Sequence, residues 1–398
     1  MWIWAVLAAL VLTALAQYLV YRKIGLSKVR YTVSLQTGEV FEGDDVFLYE
    51  TLENIGRFPL PFVRLSTDLP DGLEFILVEE TGEKAEKKRV TKTSRVQSLF
   101  VLRPGIGIRR RLRVRCQVRG KYEIDGAIAL GGDLLGMRVQ TMHLVPAQGG
   151  RNRLVVLPRT ESLSAGYICS FGLSGDLITN HCPVTDPLYI CGARPYTDSD
   201  PMNRINWKQT AMRGELMVRE EEKTVRFDFN VLLNMNTRPI ELHRTSSDTA
   251  ALERNIRVCA SLFDRAAASD VPVRLITNTA SVAAGAQAVC EDGVGTEIYG
   301  SRVYCGRGDT LDAFRLLASV RPTVSVPADQ MLEHIAAYPE LYRGSRNFVV
   351  VSAYLDTCLV NFWHAMTAQG CQVVFYLTTS RADVRDFPAD AEIYYKTY

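Results

Sequence analysis

The residues best suited to chemistry in this 398-residue chain are two cationic clusters, nine cysteines, five histidines and a polar loop at Asn234. Arg111, Arg113 and Arg115 alternate with Leu112, Val114 and Cys116, so an extended strand presents all three guanidinium groups on one face. That face suits anionic lipid or phosphate, and the same pattern equally describes a solvated edge strand guarded by charge. No aromatic residues alternate with it to stack bases, so nucleic acid is not an expected partner. Arg194, Arg204, Lys208 and Arg213 form the second cluster. They suit either an anion pocket beside a helix start or ion pairs with Glu220, Glu221 and Glu222. Cys169, His181, Cys182 and Cys191 lie near one another but contain no C-x-x-C pair, so neither a zinc site nor a disulfide framework is expected. The chain has no Walker loop, no H-E-x-x-H, no G-x-S-x-G elbow and no dinucleotide fingerprint. It is read as a non-enzyme, with no catalytic residue, no cofactor and no metal.

The elements that must position these groups follow from periodicity. Trp2 to Tyr21 is free of charge, has aromatic residues at both ends, and is followed by Arg22, Lys23, Lys28 and Arg30. This predicts a membrane-spanning helix over residues 1–24 with everything after it cytoplasmic: a single-pass cell-membrane protein with the lipid bilayer as a partner. Residues 27–148 show period-two runs broken by Gly, Pro, Asp and Asn, as in an immunoglobulin-like β-sandwich. From Lys84 to Arg119 about a dozen Lys and Arg face a single Glu. Residues 150–224 read as a connector. Residues 225–380 alternate apolar strands with amphipathic helices, which predicts a parallel, doubly wound sheet whose ligand loops follow the strands' carboxyl ends, and residues 381–398 read as a tail. The fold class expected is therefore α/β plus all-β.

Within the connector, Asp200 is placed to cap a helix whose first turn holds Pro201, with Ile205 and Trp207 turned inward and Gly214 at its end. The run Arg194, Tyr196, Asp200, Arg204, Ile205, Trp207, Ala211, Gly214, Leu216 and Val218 resembles the signature of the bacterial domain-of-unknown-function 58 family, with Ser199 where that family has glycine. Leu154 to Arg159, Gly120 to Tyr122 and Asp133 to Met137 extend the resemblance over essentially the whole chain. It implies a von Willebrand factor A-like domain after the motif and, as protein partner, a MoxR-type AAA ATPase. In such domains an Asp-x-Ser-x-Ser loop grips Mg²⁺ with the help of a Thr and an Asp. Here Asn234, Asn236 and Arg238 occupy the loop, Thr310 is in the helper's place, and Ser352-Ala353 lacks the Asp. With no carboxylate and an adjacent guanidinium, this loop is degenerate as a metal site.

These readings combine into a membrane-tethered, non-catalytic interaction or assembly protein. The alternative is an anionic-lipid or phosphate-ligand binder that uses the Arg111–Arg115 face or the motif cations.

Overall fold

The computed structural model describes residues 26–80, 88–132, 139–147, 149–161, 163, 184–197, 202, 205–224, 229–237, 248–279, 286–292, 296–338, 347–378 and 391–395, together with residues 2, 4, 12, 13, 15, 17 and 18. After a 3-10 turn at Leu26–Lys28, twelve strands follow: β1 (Val29–Leu35), β2 (Glu39–Phe41), β3 (Asp45–Asn54), β4 (Leu60–Asp68), β5 (Leu73–Glu80), β6 (Lys88–Thr93), β7 (Arg95–Leu102), β8 (Gly107–Cys116), β9 (Gly120–Glu123), β10 (Ala127–Gly132), β11 (Val139–Leu144) and β12 (Arg153–Leu157). Sheets β1-β3-β8-β5-β6 and β11-β10-β4-β7 are antiparallel throughout and share one core of alternating inward residues. Alternation also carries Glu50 of β3 and Arg110 of β8 inward. They form an ion pair, and Glu50 also accepts from Tyr31 and, at 2.7 Å, from Thr67. Arg110 donates further to Ser98 at 2.7 Å and Thr67 at 2.8 Å, so the buried charges are paired and hydrogen-bonded. Burial, with the Glu50 carboxylate beside it, pushes the Tyr31 phenol far up.

Next come β13 (Val184–Pro195), α1 (Trp207–Arg213) and β14 (Met217–Thr224), the two strands pairing antiparallel. The remainder comprises β15 (Phe229–Leu233), α2 (Thr249–Ala268), β16 (Val273–Thr277), β17 (Ala286–Asp292), β18 (Thr296–Ser301), α3 (Gly306–Ser319), α4 (Ala328–Ala337), β19 (Asn347–Ser352), α5 (Thr357–Ala368), β20 (Gln372–Leu377) and β21 (Glu392–Tyr395). Its sheet runs β17-β18-β16-β15-β19-β20-β21. β15, β19 and β20 are buried on both faces, with α2 and α3 packed on one side and α4 and α5 on the other.

Two expectations are corrected. Among the described residues no helix is long and apolar enough to cross a membrane. Most of residues 1–24, on which that reading rested, lie outside the described residues. The single-pass anchor and the membrane localisation built on it are withdrawn. Nor is the expected fold class of a transmembrane helix, a sandwich and a parallel von Willebrand factor A-like domain supported. The chain is mainly β-sheet, and its last sheet is mixed: β16 is followed by the β17–β18 hairpin, which adds antiparallel where a parallel winding needs a helical crossover.

β12 joins the two halves. Leu154 and Val156 lie in the sandwich core and Leu157 in the core beneath α2 and α3. Arg119, just before β9, then reaches across. Its side chain is 3% exposed, Nε lies 2.9 Å from Glu253 of α2, and Nη1 donates to the carbonyls of Leu317 and Val320 at 2.7 and 2.8 Å at the end of α3. Arg315 of α3 grips Glu39 of β2 with two hydrogen bonds of 2.7 and 3.0 Å, and Phe41 meets Phe314 edge-on at 6.1 Å. Removing one partner of a buried, bonded ion pair leaves the other charge uncompensated. Arg119→Ala is therefore expected to destabilise the chain by about 3–5 kcal/mol, and Arg119→Met with Glu253→Leu to recover part of that loss in urea denaturation.

Candidate functional site

The loops after the parallel strands are where a sheet of this kind offers a ligand its site, and here they are occupied by the protein itself. Asn234 and Asn236 follow β15, Asn278 follows β16, Ser352 ends β19 and Thr378 follows β20, and all are buried. The Asn278 side chain accepts from the Met235 N–H at 2.9 Å and donates to Asn236 Oδ1 and the Val326 carbonyl, both at 2.8 Å. Asn234 Oδ1 accepts from the Asn236 N–H at 2.9 Å, and its Nδ2 donates to Ser352 Oγ at 3.1 Å, which donates onward to the Tyr354 carbonyl at 2.8 Å. Thr378 donates to Asn255 of α2 at 2.5 Å. The Asn234 and Asn236 side-chain oxygens accept hydrogen bonds, and among the described residues no carboxylate takes part.

Thr310 does not join this group. It lies in the first turn of α3, bonded at 3.5 Å to the Gly306 carbonyl. That turn sits beside Asp270 and the start of β16, where Tyr304 bridges Val273, so Thr310 is at the opposite end of the sheet from Asn234. Arg238 lies outside the described residues. Among the described residues no group of three His, Cys, Asp or Glu is placed to hold a metal.

The signature residues assemble only in part. Arg194, on β13, donates to the Pro195 carbonyl at 3.3 Å, and the Tyr196 N–H bonds the Leu216 carbonyl at 2.8 Å. Asp200 and Arg204 lie outside the described residues, as do Cys169, His181 and Cys182. Met202 lies in a 3-10 turn, and the α-helix α1 follows with Asn206 as its cap, the side chain accepting from the Gln209 N–H at 3.3 Å, and Gly214 ends it in a left-handed conformation. Ile205 is buried and bridges Val218, while Trp207 points outward and is 67% exposed. Lys208 and Arg213 are exposed on the same short helix.

The Arg111–Arg115 face is outward, but its charges have local partners. Arg111 lies over Phe47 at 4.5 Å, and Arg109 over Tyr49 at 4.3 Å. Arg113 and Arg115 share Asp45, at 2.9 and 3.0 Å. Beyond Arg115 the face opens into a cleft of about 730 Å³ between the sandwich and α2, whose walls include Lys92, Cys116, Arg159 and Arg257. Glu42 in that wall accepts from Arg257 Nε at 3.1 Å. The sequence reading missed Lys92, Arg159 and Arg257 because they come from three separate stretches and share no local pattern. Burial, reinforced by Asp44 and Asp45, pushes the Cys116 thiol up to about 12, which makes it a poor nucleophile.

No family model matches this chain, and no curated protein matches it. Among solved structures, it is similar over 31% of its length to 51% of the sporulation control protein Spo0M from Bacillus subtilis, at 12% identity and a TM-score of 0.17. It is similar over 33% of its length to 24% of a native alpha-2-macroglobulin chain from Escherichia coli, at 13% identity and a TM-score of 0.24. A non-cellulosomal cohesin from Archaeoglobus fulgidus matches over 94% of its own chain and 30% of this one, at 15% identity and a TM-score of 0.18. Each likeness is partial and too loose to carry a structural or functional argument.

Two expectations follow from the site. Millimolar Mg²⁺ or Mn²⁺ should leave the thermal unfolding midpoint unchanged, whereas binding at 100 times a dissociation constant would add about 2.7 kcal/mol. The Cys116 thiol stays protonated in the folded chain up to about pH 12 but ionises in the unfolded chain near the ordinary thiol value of 9.0. Its stabilising contribution is intact below the unfolded value and is lost as pH rises through this window, by about 1.4 kcal/mol per pH unit. Urea titrations between pH 8 and 11 should show that decline, with a shallower one in Cys116→Ala.

Proposed function

We propose that this chain is a non-catalytic interaction protein: a two-part scaffold that engages a protein partner through the β13–α1–β14 arm. The observation that carries this reading is the exposed apolar group on that arm. Trp207 is 67% exposed, Met202 70%, Met212 74% and Leu216 44%, while Ile205, Met217 and Val218 beside them are buried. The arm thus has its own inward apolar contacts, and the outward Trp and Met are surplus to folding. Trp is among the residues that most often dominate binding energy at interfaces, and a cluster of large exposed apolar side chains is the usual mark of one. The self-bonded strand ends support the same reading, because they spend on internal order the positions at which a sheet enzyme or a metal-bridged adhesion domain would hold its ligand.

The sequence resemblance supplies the partner to try first, a MoxR-type AAA ATPase. With the purified ATPase, the emission of Trp207 should shift to shorter wavelength on mixing, since an exposed indole would become buried. Trp207→Ala should weaken complex formation at least tenfold in analytical ultracentrifugation while leaving the unfolding midpoint within a degree or two. Undiminished binding by that variant would remove the arm from the interface.

A further inference from the structure

The cleft between the sandwich and α2 differs from the rest of the surface in its charge arrangement. Lys92 enters it from β6, Arg115 from the end of β8, Arg159 from the segment after β12 and Arg257 from α2. Its two lining carboxylates are both committed to one of these cations. Glu42 is buried and takes two hydrogen bonds from Arg257, and Glu161 lies 3.8 Å from the same guanidinium. Arg115 has only a share of Asp45, since Arg113 binds the same carboxylate. Lys92 and Arg159, both exposed, form no salt bridge among the described residues. The cleft is therefore a concavity whose acids are turned to its wall and whose unmatched cations face its space, which concentrates positive potential.

We propose that this cleft binds a small phosphate-bearing ligand, with the phosphate held by Lys92 and Arg159, supported by Arg115. A phosphate monoester carries close to two negative charges and three terminal oxygens, which suits donors arriving from three separate elements better than a carboxylate does. At about 730 Å³ the cleft lies in the size range of small-molecule sites and exceeds what inorganic phosphate fills, which leaves room for an organic part. Thr160 supplies an uncharged hydrogen-bonding group to that part, and Gln117, whose amide N–H donates to Glu74, offers its carbonyl oxygen. Both halves of the chain line the cleft, so a bound ligand also favours their docked arrangement. This surface is separate from the Trp207 arm, and the two readings fail independently.

The test uses the full chain. Inorganic phosphate and glycerol 3-phosphate are titrated at constant ionic strength against chloride, with binding read by calorimetry and by the thermal unfolding midpoint. Saturable binding is expected for both, tighter for the ester. The Lys92→Ala/Arg159→Ala double variant should raise the dissociation constant at least tenfold, yet unfold at the wild-type temperature without ligand. No saturable binding of either phosphate, or binding that the double variant retains, overturns the proposal. Phosphatidate vesicles separate the possible sources. Vesicle binding displaced by glycerol 3-phosphate assigns the cleft to a lipid headgroup, and soluble binding without vesicle binding assigns it to a free phosphorylated molecule. Vesicle binding that the soluble ester fails to displace excludes a lipid headgroup as the cleft's ligand.

Discussion

Everything at the junction of the two halves depends on burying the Arg119 guanidinium. A charge with 3% exposure is tolerable only if it is compensated, and Arg119 is compensated from two separate helices: its Nε lies 2.9 Å from the carboxylate of Glu253 in α2, and its Nη1 donates to the carbonyls of Leu317 and Val320 at the end of α3. The Leu317 carbonyl also takes the Val320 N–H, and Val320 follows the last residue of the helix, so the guanidinium adds to the cap of α3 and places positive charge at the negative end of its dipole. Desolvation lowers the affinity of Arg119 for its proton, and the Glu253 charge opposes that. The pair is consistent only in the docked arrangement: if the halves separated, both charges would return to water and α3 would lose its cap. Arg257 with Glu42 and Arg315 with Glu39 repeat the logic at more exposed positions, where each pair contributes less. The cleft at Lys92 and Arg159 is a consequence of this geometry, because its opposite walls belong to different halves.

The sequence was most informative where one period ran uninterrupted. In β8 the alternation places Leu112, Val114 and Cys116 inward and Arg111, Arg113 and Arg115 outward. Carried two residues further back, that alternation turns Arg110 inward, and the same count in β3 turns Glu50 inward to meet it. A buried ion pair was thus written in two strands that no local reading of either would connect. The apolar runs of β15 and β19 likewise mark strands buried on both faces, since neither has a polar side to expose.

What was illegible depended on pairing. The Asp200-Pro201 signal for a helix start is a sound local rule, and Met202 does lie in a 3-10 turn, yet Ile205 is held in a bridge to Val218 and the Asn206 N–H bonds Met217, so α1 itself begins only after its Asn206 cap. That shift turns Trp207 away from the arm's apolar contacts. Periodicity marks strands within residues 225–380 but not their direction, and the antiparallel hairpin of β17 and β18 follows from register, which no single strand encodes. Thr310 was assigned by order along the chain alone. Because α3 begins beside Asp270 and the Arg321 carbonyl just past its end accepts from Thr279, its first turn and the Asn234 loop lie at opposite ends of the sheet. The cations of the cleft were invisible for a related reason: Lys92, Arg159 and Arg257 are brought together only by the docking of the two halves.

The polar content of the strand ends bears on what such a site can become. Amide and hydroxyl groups that satisfy one another cost little to bury, whereas leaving one of them unpaired costs about 1–3 kcal/mol. A metal entering at Asn234 or Asn236 would have to take oxygens from the N–H groups of Asn236 and Asn278 and strand those donors in the interior. Among the described residues no carboxylate is placed to offset that loss, which favours the closed network. The same accounting favours the cleft and the arm as working surfaces. Lys92 and Arg159 there, and Trp207 and Met212 on the arm, are exposed to solvent, so a partner can engage them without dismantling any hydrogen-bond network the fold requires.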